Sequence, residues 1–190
     1  MITQPKPLTI ADWDAMPYRE GYRYEIIEGE LFVSCSPGLT HQRVTANLMA
    51  ALVIFFRDNP NGELVPTPGL ILSEHSGVIP DLVVFVNERQ ATIITGERLT
   101  GPPDLVIEIL SPGATNIRRD RINKLQLYSK HEVPEYWIVD PNKPAVEQYV
   151  SQGSSLKLMQ TLQREDVLSS YAIPGFSCLV SQIFRRFGER

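Results

Sequence analysis

Residues 104–110 read DLVIEIL and residues 135–139 read EYWIV, with a helix-patterned stretch, 117–130, between them. Both short runs are apolar nearly throughout, as in strands covered on both faces. A strand, a helix and a second strand in that order make a crossover unit whose strands run parallel and whose connection is right-handed. The run before it, Asp81 to Val86 (DLVVFV), has the same buried character. Neighbours in sequence usually pair, so 81–86 is expected beside 104–110.

Working outward, Thr9 to Asp12 offers a cap for a short helix over 10–16, ended by Pro17. Tyr22 to Ser34 has two β-like runs around Glu28-Gly29-Glu30, the signature of a hairpin. From His41 to Phe56, apolar residues Val44, Leu48, Ala51, Leu52 and Phe55 recur at steps of three and four, predicting an amphipathic helix. Residues 63–72 read as one strand. Residues 146–149 and 156–162 read as a closing hairpin with Ser151 to Ser155 as its loop, and 177–187 as a terminal helix. The fold class is α/β (α+β): a mixed β-sheet flanked by helices, with additional N- and C-terminal β-hairpins, in a single domain spanning 1–190.

The 190 residues are 43% hydrophobic and 21% charged, the balance of a globular protein. No apolar run approaches the roughly 18 residues needed to span a bilayer. Met1 to Trp13 carries Pro5, Pro7 and Asp12 where a signal peptide needs a basic start and an apolar centre, so a cytoplasmic location is expected. A net charge of −4 argues against non-specific coating of nucleic acid, yet a local basic strip beside an acidic site still suits a nuclease. Cys35 and Cys178 lie far apart without a CxxC neighbour and are expected to be reduced and structural.

The chemical anomaly is Glu108, which interrupts the apolar run 105–110. A lone carboxylate there costs several kcal/mol unless it is paired, protonated or bound to a cation. Asp81 opens the neighbouring strand, and two acids at the ends of adjacent strands make a hard-oxygen site suited to Mg²⁺ or Mn²⁺. The competing reading is a buried ion pair between Glu108 and a nearby arginine, with Asp81 merely ending a loop. On the 117–130 helix, Ile117, Ile122, Leu125 and Tyr128 define an apolar stripe, and Lys124 lies on its edge with Asp120 at the i, i+4 pairing distance. Lys124 can reach the strand carrying Glu108 from there, or it snorkels to solvent.

Pro80-Asp81, PPDLVIEILSPG (102–113), Asp120-x-x-x-Lys124 and EVPEYWIVDP (132–141) together resemble a large bacterial family of restriction-endonuclease-like proteins in the PD-(D/E)XK nuclease superfamily. The resemblance runs over roughly residues 8–180. It implies a restriction-endonuclease-like core and a Mg²⁺- or Mn²⁺-dependent nuclease hydrolysing DNA phosphodiester bonds. Asp81 and Glu108 match the metal-binding acids, with the backbone carbonyl of Ile109 as a further ligand. Lys124 stands in for the motif lysine, which the superfamily usually places two positions after the acid, where this chain has Leu110. Asp120 would orient Lys124. Glu28 matches an acid often present in the family, and His41 would contact phosphate or metal-bound water. Arg118, Arg119 and Arg121 either line a phosphate groove or form a solvated helix face, whereas Tyr136 and Trp137 belong to the core. The displaced lysine leaves room for an alternative, a catalytically inactive module that binds nucleic acid or a protein partner. Relatives of the fold often dimerise, and the hairpins at 22–34 and 146–162 suit a homodimer interface.

Overall fold

The computed structural model describes residues 6–186. The first helix, α1 (Ile10–Asp14), opens with a capping box: the Thr9 side chain accepts from the Asp12 backbone N–H while the Asp12 carboxylate accepts from the Thr9 N–H. Strands β1 (Tyr22–Ile27) and β2 (Glu30–Cys35) form the expected antiparallel hairpin. Its turn residues Glu28 and Gly29 have φ of +52° and +81°, and a Cβ on Gly29 would lie 2.5 Å from the Pro7 Cβ, so only glycine fits there. The long helix α2 (Leu39–Asp58) buries His41, Val44, Thr45, Leu48 and Leu52, the face that its apolar spacing predicts.

The run read as one strand over 63–72 is two. Strand β3 (Gly62–Pro66) pairs with β6 (Leu82–Val86), whereas β4 (Leu70–Ser73) joins a second sheet with β5 (Ser76–Val78). Thr67 at φ +47°, flanked by Pro66 and Pro68, makes the break. Residues 87–100 hold elements too short for a clear pattern: α3 (Asn87–Ile93), β7 (Ile94–Thr95) and β8 (Arg98–Thr100).

Strand β9 (Leu105–Ile109) lies at the heart of the first six-stranded sheet, between β6, antiparallel to it, and β10 (Glu135–Asp140), parallel to it. The outer strands β11 (Ala145–Gln152) and β12 (Ser155–Gln163) complete the order β12-β11-β10-β9-β6-β3. Both faces of β9 are covered, as its apolar run requires. Leu105, Ile107 and Ile109 pack in one core cluster with Leu48 and Leu52 of α2, while Val106 packs in another with Leu127 and Tyr128. The second sheet runs β2-β1-β5-β4-β8-β7, so the chain builds two mixed sheets where the sequence implied one.

The crossover helix begins earlier than predicted, at α4 (Ala114–Arg118), and continues through a π-helical turn over Arg119–Lys124 into α5 (Leu125–Lys130). The predicted terminal helix shrinks to α6 (Val180–Ile183). Ser177–Leu179 instead forms β14, paired with β13 (Val167–Ser169), because those backbone groups find a ladder partner before the helix can start. Residue 187 of that prediction, and residues 1–5 of the leader reading, lie outside the described residues. Among the described residues no helix is long and apolar enough to cross a membrane.

Candidate functional site

Strand register decides where the acids go. Leu82 pairs with Ile107, so Asp81 and Glu108 are offset by one residue in opposite chain directions and sit at the same level of adjacent strands. Alternation along each strand puts Asp81 with Val83, and Glu108 with Val106, on the face that packs against α5. The Ile109 backbone N–H donates to Asp81 Oδ2 at 2.8 Å, tying the two strand ends together. Both carboxylates line one small pocket of about 30 Å³, room for about two water-sized groups.

The π turn delivers the lysine. A helix with i→i+5 bonding is wider than an α-helix, and such turns recur at functional sites. Here it rotates Asp120 and Lys124 fully inward, each 1% exposed, and turns Ile122 out to 46% exposure although the wheel placed it in the apolar stripe. Lys124 Nζ donates to Glu108 Oε1 at 2.7 Å and to Glu25 Oε1 at 2.8 Å, with Asp120 Oδ1 at 3.9 Å. The Tyr128 hydroxyl donates to the same Glu108 oxygen at 2.9 Å. Among the described residues Glu108 Oε2 takes no hydrogen bond.

Four buried carboxylates, Glu25, Asp81, Glu108 and Asp120, thus meet one buried cation, Lys124, and a partly exposed one, Arg119, with Arg23 at the rim 3.5 Å from Asp81 Oδ1. The excess negative charge is uneven. Burial pushes Glu108 up to about 8, and Lys124 only partly offsets it because Asp120, Asp81 and Glu25 push the same way. Burial likewise raises Asp120 against the pull of Lys124 and Arg119. For Asp81 burial opposes the charge, but the His41 ring, 3.0 Å from Oδ2, the Ile109 N–H and Lys124 together hold the carboxyl below its usual range. Glu25 is held down despite burial by Lys124 and Arg119. Burial works against the Lys124 charge, but Glu108, Glu25 and Asp120 more than reverse that and keep it protonated.

Of the residues expected at the site, the structure brings together Asp81, Glu108, Ile109, Lys124, Asp120 and His41. Glu28 is elsewhere: it sits on the β1–β2 turn, half-exposed, with Lys130 Nζ 2.6 Å from its carboxylate. Arg118 is exposed, and Arg121 turns to Glu147 and Asp140. Arg119 does face the pocket, bonded to Asp120 at 2.9 Å. The ion-pair reading of Glu108 also describes a real contact, though its partner is a lysine. Sequence reasoning missed Glu25. Its signal was present, since an acid inside the β run YRYEII is the same anomaly as Glu108 in LVIEI.

Among the described residues no group of three or more His, Cys, Asp or Glu side chains is disposed to hold a metal ion. The donor set nonetheless fits Mg²⁺, which takes one or two carboxylates and fills its remaining positions with water or substrate oxygens. Asp81 and Glu108 supply two carboxylates that line the pocket, and both donors to Glu108 fall on Oε1.

The model of the Uma2 family, described as "Putative restriction endonuclease", matches residues 10–181. Among solved structures, "a putative nuclease belonging to DUF820" from Anabaena variabilis ATCC 29413 superposes with a TM-score of 0.71. It is 19% identical, and the match covers 94% of this chain and 98% of that one, which shows a shared fold. No curated protein matches the chain.

Proposed function

The chain belongs to the Uma2 family, and from that premise we propose that it is a Mg²⁺-dependent nuclease that hydrolyses DNA phosphodiester bonds. The observation that carries this reading is the convergence of Asp81, Glu108 and Lys124 on one pocket. Asp81, Glu108 and the Ile109 carbonyl would hold a divalent cation, which lowers the pKa of a bound water and polarises a phosphoryl oxygen. His41 holds Asp81 ionised and fixes its orientation. Lys124 sets a permanent positive charge at the pocket floor, where negative charge grows on phosphorus. Asp120 and Arg119 brace that lysine from the helix side. Mn²⁺ would serve in place of Mg²⁺, and DNA is the partner that this chemistry implies.

The direct test incubates the protein with plasmid, single-stranded and branched DNA plus Mg²⁺ or Mn²⁺. The wild type should cleave, and Glu108→Ala and Lys124→Ala should not. Cleavage untouched by either change contradicts the assignment. One observation favours a second reading, a nuclease fold that binds nucleic acid or a protein without cutting: the Lys124 ammonium is 1% exposed and already bonded to two carboxylates. Calorimetry with Mn²⁺ separates them, because a binding-only module takes up no Mn²⁺ at millimolar concentration.

A further inference from the structure

The pocket holds two buried glutamates that are bonded in opposite ways. Glu108 receives both of its donors, Lys124 and Tyr128, on Oε1. Glu25 is occupied on both sides. Its Oε1 accepts from the Ile79 backbone N–H at 2.8 Å and from Lys124 Nζ at 2.8 Å, and its Oε2 faces Arg119 at 3.6 Å. Asp81 is likewise engaged on both oxygens, by His41, Ile109 and Arg23; what sets Glu25 apart is its direct bond to the Lys124 ammonium.

We infer that Glu25 is a positioning residue, which holds the Lys124 ammonium in register with the strand end bearing Asp81 and is not itself a cation ligand. Ile79 lies two residues before Asp81, so one oxygen of Glu25 clamps both the approach to Asp81 and the lysine. Glu25 stands on β1, in the second sheet, and the clamp therefore links that sheet to the helix and strands that carry the site. The need for a second anchor follows from the contacts of Lys124. Glu108 cannot serve a cation and hold the ammonium with undiminished strength, whereas Glu25 keeps its hold whatever Glu108 binds.

This inference rests on the proposed nuclease site, and its test separates the two. Glu25→Gln keeps the shape and removes the charge. DNA cleavage should fall about ten- to a hundredfold, the loss of roughly one charge-assisted hydrogen bond. Its Mn²⁺ affinity by calorimetry should stay within about twofold of wild type. The Lys124 ammonium resonance in ¹⁵N NMR, protected from exchange in the wild type, should lose that protection. In the wild type the same resonance should persist under saturating Mg²⁺, a measurement that needs no variant to fold. Mn²⁺ affinity that drops as far as in Glu108→Gln would make Glu25 a ligand and overturn the inference. So would a Lys124 resonance that is unchanged in Glu25→Gln, or one that vanishes when Mg²⁺ is added to the wild type. If the wild type cuts no DNA at all, the nuclease proposal fails, while the affinity and resonance results still decide the role of Glu25.

Discussion

Lys124 Nζ lies 2.7 Å from Glu108 Oε1, and neither side chain is more than 3% exposed. The two residues come from a helix and the central strand of the sheet, 16 positions apart. Buried ion pairs are weak sources of stability, since desolvation cancels most of the attraction. Perturbed, tightly coupled charges of this kind concentrate at functional sites.

Glu108→Gln should melt no lower than the wild type at pH 7 while losing divalent-cation binding. With the carboxyl pushed up to about 8, the side chain is mostly protonated at pH 7, so the amide replaces a neutral group of the same shape. Thermal unfolding with and without Mn²⁺ checks both halves. A large fall in Tm would mean that Glu108 stabilises the fold.

The pH dependence has a definite sign. Because Glu108 titrates near 8 when folded and near its ordinary 4.5 when unfolded, the folded state holds the extra proton between those values. Its contribution to stability is therefore complete below about pH 4.5 and is lost as pH rises through about 8. A cation that needs the ionised form displaces that proton. Mn²⁺ affinity should strengthen by up to about tenfold per pH unit from 6 to 8 and level off above. Calorimetry in buffers of different ionisation enthalpy should show proton release at pH 7 and little at pH 9.

Lys124→Met strips Glu25, Glu108 and Asp120 of their shared cation and should cost about 3–5 kcal/mol. Added Mn²⁺ should restore part of the loss, because a divalent charge replaces the missing ammonium. Denaturant titrations with and without Mn²⁺ measure this, and DNA cleavage should stay absent in both.

Glu28→Ala should leave both stability and cleavage nearly unchanged. Its ion pair with Lys130 is solvent-exposed, the kind worth at most about 1 kcal/mol. Plasmid cleavage within about twofold of wild type is the expected result.

Much of this site was legible because it is written as violations of pattern. Glu108 breaks an apolar strand, Asp81 opens another, and adjacency of sequence neighbours brings them together. Lys124 was legible only as a residue on the edge of a stripe, since the wheel assumed α-helical periodicity. The π turn shifts that periodicity locally, which is why Ile122 faces solvent and Asp120 and Lys124 do not. Glu25 was hidden by its context, a hairpin strand that reads as half-exposed. That strand belongs to a second sheet whose short members, such as Ser76–Val78, carry too few residues to show alternation. Glu28, three residues away on the turn, was the acid singled out there instead.

In the proposed site Asp81 and Glu108 share one divalent cation beside the Lys124 ammonium. A crystal structure of the protein with Mn²⁺, phased to show anomalous scattering from manganese, tests it most directly. An anomalous peak is expected within bonding distance of a carboxylate oxygen of Asp81 and one of Glu108, with Lys124 still held by Glu25. A fully loaded crystal with no peak there, and both carboxylates bonded only to His41, Ile109, Lys124 and Tyr128, would contradict it.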